Sequence, residues 1–112
     1  MEIEKQQINT AGIKFFAKED GQIVGRAYLY ILKNDLHDQP FGFMEDVFVE
    51  EAFRKHGIGK QLVEAVITEA KEQGCYKLVC TARYEKPEVH SFYKKFGFTD
   101  HGKEFRVDFD IV

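Results

Sequence analysis

The chain has little cysteine, no long apolar run and no excess of positive charge. Its two cysteines, Cys75 and Cys80, fall at a predicted helix-to-strand junction and near the end of that strand. An extended backbone carries them too far apart for a disulfide. Both read as free thiols, as in a reducing, cytoplasmic compartment. The longest purely apolar stretches are a few residues, which excludes a membrane-spanning helix of about 20 residues and the apolar core of a signal peptide. Lys and Arg total 16 against 19 Asp and Glu, a net charge of −3. Nucleic-acid binding is not expected of such a chain, because phosphate contacts need clustered cations. His37, His56, His90 and His101 show no metal-ligand spacing with each other or with the cysteines, so no metal site is expected. Repeats, low-complexity tracts and linkers are missing too.

What is present suits one domain over residues 1–112. Hydrophobic residues make up 44%, with 11 Phe and 5 Tyr, enough for a core. Residues 2–9 are weakly patterned and read as an edge strand. Residues 13–18 alternate partly, Glu19-Asp20-Gly21 marks a hairpin, and 22–32 is apolar on both alternating sets, as in a strand covered on both faces. Residues 41–49 form another strand. The period then changes: Ile58, Leu62, Val66 and Ala70 share a helical stripe that Gly74 ends. A strand over 76–81, a helix over 87–96 opened by Pro87 and stopped by Gly97, and a closing hairpin of 98–100 with 104–111 complete the chain. The predicted fold class is α/β, in the order β-β-β-β-α-β-α-β-β. The 41–81 unit is a right-handed strand–helix–strand crossover within a mixed sheet of about six to seven strands.

The segment with chemical content is Val47 to Lys60, VFVEEAFRKHGIGK. A buried strand enters a basic loop, Arg54-Lys55-His56-Gly57, and the loop opens directly into a helix at Ile58-Gly59-Lys60. The first turn of a helix leaves backbone N–H groups unpaired, and Ser, Thr, Asp or Asn usually caps them. None precedes this helix. An uncapped start, with glycines that permit close approach and cations nearby, is suited to a pyrophosphate. It is equally the composition of a plain solvated turn. A Walker-type loop is excluded, since that pattern needs Gly at position 54 and Ser or Thr at 61, where the chain has Arg54 and Gln61.

Arg54-x-x-Gly57-x-Gly59, after a strand and before a helix, resembles the acyl-CoA-binding motif of the GNAT N-acetyltransferases. Phe92-Tyr93-Lys94-Lys95-Phe96-Gly97-Phe98 is similar to that family's C-terminal helix-and-strand signature, and the two pieces stand in the family's order. Met44-Glu45-Asp46-Val47 and Gly74-Cys75-Tyr76-Lys77 are similar to segments of glucosamine-6-phosphate N-acetyltransferases. The resemblance implies acetyl-CoA as co-substrate, held by Val47, Phe48, Val49 and residues Arg54 to Lys60. It also implies a small-molecule or peptide amine as acceptor. Two features depart from the family. Only a turn near residues 9–12 stands where a helix pair usually walls the acceptor pocket, which implies an open site, a large acceptor, or a wall from a second subunit in a homodimer. Lys86-Pro87 stands where many members carry a cofactor-touching Asn.

Acetyl transfer needs a base, because an alkylammonium with a pKa near ~10 has no free lone pair. Glu45 is the candidate. In a regular strand it shares a face with Phe41, Phe43, Val47 and Val49, which would desolvate it, while Asp46, the reserve, points the other way. By resemblance, Tyr93 is the acid that protonates the departing CoA thiolate, and backbone N–H groups near Phe48 and Val49 polarise the thioester carbonyl. Against these roles stand a solvated or salt-bridged Glu45, a packing Tyr93, and a structural rather than nucleophilic Cys80. A non-catalytic CoA-binding regulator and a purely structural α/β domain are the competing functions.

Overall fold

The structure is a computed structural model that describes residues 1–111; Val112, the last residue of the expected domain, lies outside the described residues. It consists of two compact units, the first ending at Cys80 and the second beginning at Thr81.

In the first unit, β1 (Ala11–Glu19) and β2 (Gln22–Leu32) form an antiparallel hairpin. Its two-residue turn has φ of 50° at Asp20 and 78° at Gly21. Two successive positive φ values match the right-handed twist of the strands, and Asp-Gly adopts them with little strain. β3 (Phe41–Val49) lies antiparallel to β2, and β4 (Leu78–Val79) lies parallel to β3 in the sheet order β1-β2-β3-β4. Between β3 and β4 the chain makes a 3-10 turn at Glu51–Phe53 and then helix α1 (Ile58–Glu72).

The expected stripe of α1 is the buried one: Ile58, Leu62, Val63, Val66 and Ala70. It covers one face of the sheet. Leu29, Met44, Val24, Val63 and Val66 are the largest side chains buried in full, each contributing roughly 1.5–3 kcal/mol by leaving water. The helix and sheet approach closely where β2 and β3 carry glycine. A Cβ at Gly25 would stand 3.2 Å from side-chain atoms of both Ile58 and Leu62 of α1; one at Gly42 would stand 3.7 Å from Ala70 of α1 and 2.9 and 3.0 Å from Leu78 and Leu29 of the sheet. α1 ends as expected at Gly74. The Gly74 N–H donates to Lys71 O and the Cys75 N–H to Ala70 O, the paired bonds of a Schellman cap.

The second unit contains α2 (Pro87–Lys94), with Pro87 in its first turn, and a turn that reverses at Gly97 (φ 96°). Phe92 meets Phe96 edge-on at 5.1 Å between centroids, and Tyr93 meets Phe98 at 5.6 Å. His90 Nε2–H donates to the Arg83 carbonyl oxygen at 2.6 Å, tying α2 to the loop before it.

The α/β class and the order of the elements that form agree with the sequence. The strand count is four among the described residues, because residues 2–9 and 98–111 join no sheet and β4 shrinks from 76–81 to two residues. The tail alternates as a strand should, yet Phe105, Val107, Phe109 and Ile111 are 71–90% exposed. Alternation states which face a strand would bury; without a neighbour to accept its backbone bonds no strand results.

Candidate active site

The site in the first unit is built around an irregularity in β3. Tyr28 pairs with Glu45 and Arg26 with Phe48, so the single residue between the β2 partners faces two residues, Asp46 and Val47, on β3. This is a β-bulge, and Asp46 occupies its left-handed position with φ of 53°. A side chain there costs about 1 kcal/mol or more relative to ordinary backbone, least for Asp and Asn.

The bulge changes which side chains share a face. Glu45 and Phe48 both lie on the face of Tyr28 and Arg26, although they are three residues apart. Val49 instead pairs with Gly25, whose Cα faces Ile58 and Leu62 of α1. The expectation that Val49 lies on the Glu45 face fails for this reason. So does the expectation that Asp46 points away from Glu45. Asp46 reaches Arg26 on the same face, with Nε to Oδ2 at 2.8 Å and Nη2 to Oδ1 at 3.1 Å. The Arg26 hydrogen bonds hold the Asp46 carboxyl below its usual range, which makes it a poorer base than Glu45's reserve should be.

Glu45 itself is exposed, so its apolar strand neighbours do not desolvate it as expected. Nearby, burial and then the Glu45 charge push the Cys80 thiol up to about 11. A thiol held protonated at neutral pH is a weak nucleophile, in line with the structural reading of that residue.

The second feature is an open strand edge. β3 and β4 pair only at Gly42–Leu78 and Phe43–Val79, supported by Gly42 N–H to Lys77 O (2.9 Å) and Tyr76 N–H to Pro40 O (3.0 Å). Past Phe43, β3 has no partner on that side among the described residues. At the far end the Glu50 N–H donates to Val24 O on β2 (2.8 Å). Backbone groups of successive extended residues point to opposite edges, so the Val49 N–H faces the open side. The Phe48 N–H, by the same alternation, faces β2.

The third feature is the head of α1. Gly57 is its N-cap, in the left-handed region at φ 82°, and no side chain caps the helix. Nothing lies within 4 Å of where a Gly57 Cβ would be. The first turn carries no acidic residue. The partial positive charge of the first-turn N–H groups is therefore met by no capping side chain and no first-turn carboxylate. Of the cations, Lys55 is exposed, at φ 67°, and His56 is exposed beside it. Lys60 lies 3.9 Å from Glu64 in a solvated i,i+4 pair. Arg54 does something the sequence did not reveal: its Nε donates to Val49 O at 2.8 Å, and its guanidinium lies 5.5 Å from the Phe48 ring centroid. It braces the end of the strand.

Tyr93, in the second unit, is half-buried between Phe92 and Phe98. Sequence reasoning missed Arg26 and the bulge. The available signal was an Asp within an apolar strand, a residue that tolerates positive φ. Among the described residues no group of three or more His, Cys, Asp or Glu could hold a metal ion, and no helix is long and apolar enough to cross a membrane.

The first unit is thus an α/β domain in which β3 keeps an unpaired edge beyond Phe43 among the described residues and α1 starts without a side-chain cap. The chain matches the acetyltransferase (GNAT) family over residues 2–98 and belongs to that family. A glucosamine 6-phosphate N-acetyltransferase from Trypanosoma brucei brucei is 33% identical over 95 residues, covering 84% of this chain and 63% of its own length. The chain thus spans less than two thirds of that curated relative. The crystal structure of glucosamine-6-phosphate N-acetyltransferase from Arabidopsis thaliana superposes with a TM-score of 0.81 at 28% identity, covering 88% of this chain and 67% of that one. The structure of AAC(6')-Iy in complex with a CoA bisubstrate analogue gives a TM-score of 0.74 at 26% identity, covering 87% and 68%.

Proposed function

We propose that this chain is an acetyl-CoA-dependent N-acetyltransferase that transfers the acetyl group to a primary amine by direct attack in a ternary complex. The observation that carries the reading is the head of α1: first-turn amides without a side-chain cap, behind a left-handed Gly57 with open space before it. Those amides would hold the pyrophosphate of CoA, with Lys55, His56 and Lys60 adding charge around it. Arg54 acts on the same edge, through its bond to the Val49 carbonyl. The open edge of β3 would receive the pantetheine arm, and the Val49 N–H would donate to the thioester oxygen as charge develops there.

In the reaction the amine nitrogen attacks the thioester carbon, the new C–N bond forms and the C–S bond breaks. Glu45, directly or through water, takes the proton that the amine loses; its exposure fits access from solvent. The hydroxyl of Tyr93 gives a proton to the CoA sulfur as it leaves. Glucosamine 6-phosphate is the first acceptor to test, from the names of the relatives, and a second copy of the chain would supply an acceptor wall. A thiol-release assay with amino-sugar phosphates, polyamines and aminoglycosides tests the activity. Steady CoA release with one amine is expected; none with any amine defeats the catalytic reading.

A second reading, as a CoA-binding regulatory module, is supported by the lack of a helix before β2 among the described residues, where the family usually walls its acceptor pocket. CoA binding measured by calorimetry in a chain that turns over no amine would select it.

A further inference from the structure

We infer that Arg26 is a positioning residue, which clamps the β3 bulge through Asp46 and thereby sets the strand edge that faces the thioester. The inference rests on the acetyltransferase reading for its catalytic consequence, but the clamp itself is a property of the fold.

Asp46 stands at φ 53°, in the left-handed region, which costs an L side chain about 1 kcal/mol or more, least for Asp and Asn. What holds it is a two-pronged guanidinium–carboxylate pair at 2.8 and 3.1 Å, the geometry in which Arg is not replaceable by Lys. Arg26 sits on β2 directly opposite Phe48, so the pair spans the bulge from its carboxylate to the residue just beyond it. The Arg26 guanidinium also lies 4.7 Å from the Phe48 ring centroid. Arg54 approaches the same ring at 5.5 Å and bonds the next carbonyl, Val49 O. Phe48 is therefore gripped by two guanidiniums, one fixed to the bulge and the other to the strand end. If the bulge relaxed into regular pairing, every residue after it would shift by one. The Val49 N–H would turn from the open edge toward β2. Asp46, occupied in this way, leaves Glu45 as the carboxylate that can accept a proton.

The test compares Arg26→Met, Arg26→Lys and the double variant Arg26→Met with Asp46→Gly, since glycine holds the left-handed position without a clamp. In Arg26→Met, kcat is expected to fall about tenfold, as small misplacements of catalytic groups do. Calorimetric Kd for CoA should stay within about twofold, because uniform binding is untouched. Arg26→Lys should fall between, and the double variant should recover most of the lost kcat. Wild-type kcat in Arg26→Met overturns the proposal, and so does a loss that Asp46→Gly does not restore, since Arg26 would then touch a substrate. Hydrogen exchange of the Glu50 amide, bonded to Val24 O beyond the bulge, reads the clamp without any turnover. Protection should drop in Arg26→Met and return in the double variant; unchanged protection overturns the clamp even if the wild type proves inactive on every amine.

Discussion

In residues 1–80 every strand has a hydrogen-bonded neighbour and α1 seals one face of the sheet, whereas residues 81–111 hold one eight-residue helix and a cluster of rings. The first unit places its proposed CoA-binding groups through backbone: a bulge, an open edge and an uncapped helix head. The second places Tyr93 through ring contacts with Phe92 and Phe98 on one short helix and the turn after it. Backbone-defined sites tolerate many side chains but few changes of pairing or φ. A site carried by one hydroxyl has the opposite sensitivity.

Mutations can sharpen that contrast. The largest expected effect is on folding of the first unit: Leu29→Ala, at a fully buried position, should cost about 2–5 kcal/mol, read as a lower urea midpoint. Next comes Tyr93→Phe, which should lower kcat by roughly a hundredfold, in the range of a lost general acid, with CoA affinity nearly unchanged. Unchanged kcat removes Tyr93 from the chemistry. Gly57→Glu places a carboxylate and a strained φ at the helix head, and it should weaken CoA binding by about tenfold or more, a loss of ~1.4 kcal/mol. Smaller still is Asp46→Asn. Arg26 depresses the folded-state pKa of Asp46, so its stabilising contribution is complete above the usual carboxylate range and is lost as pH falls through the folded value. The stability gap between wild type and Asp46→Asn should therefore be present at neutral pH and close in acid. At the bottom, Phe109→Ser at a 71%-exposed site should change stability by no more than about 0.5 kcal/mol. A large loss there would show that the tail is packed.

The same contrast governs what was legible in the sequence. Features fixed by local chemistry were readable: the Asp20-Gly21 turn, the stripe of α1, the stops at Gly74 and Gly97, and the start at Pro87. Failures came where pairing is non-local. Residues 2–9 and 104–111 were read as strands from their own pattern, but a strand also needs a neighbour, which no local pattern supplies. The bulge escaped because β3 is apolar on both alternating sets, which hides a change of parity, and because its left-handed residue is Asp rather than the glycine that would have marked it. Arg26, a lone cation in an apolar strand, has meaning only opposite Asp46. The vacancy at the head of α1 was visible in advance, because it follows from what four consecutive residues, Arg54 to Gly57, lack.

The central claim is that the α1 amides receive the diphosphate of CoA. Titrating CoA into isotope-labelled protein and following backbone amide shifts tests it most directly. The account predicts that Gly57, Ile58, Gly59 and Lys60 move most, while the Asp20-Gly21 turn stays still. Binding that leaves residues 57–60 unmoved, or no binding at all, would contradict it.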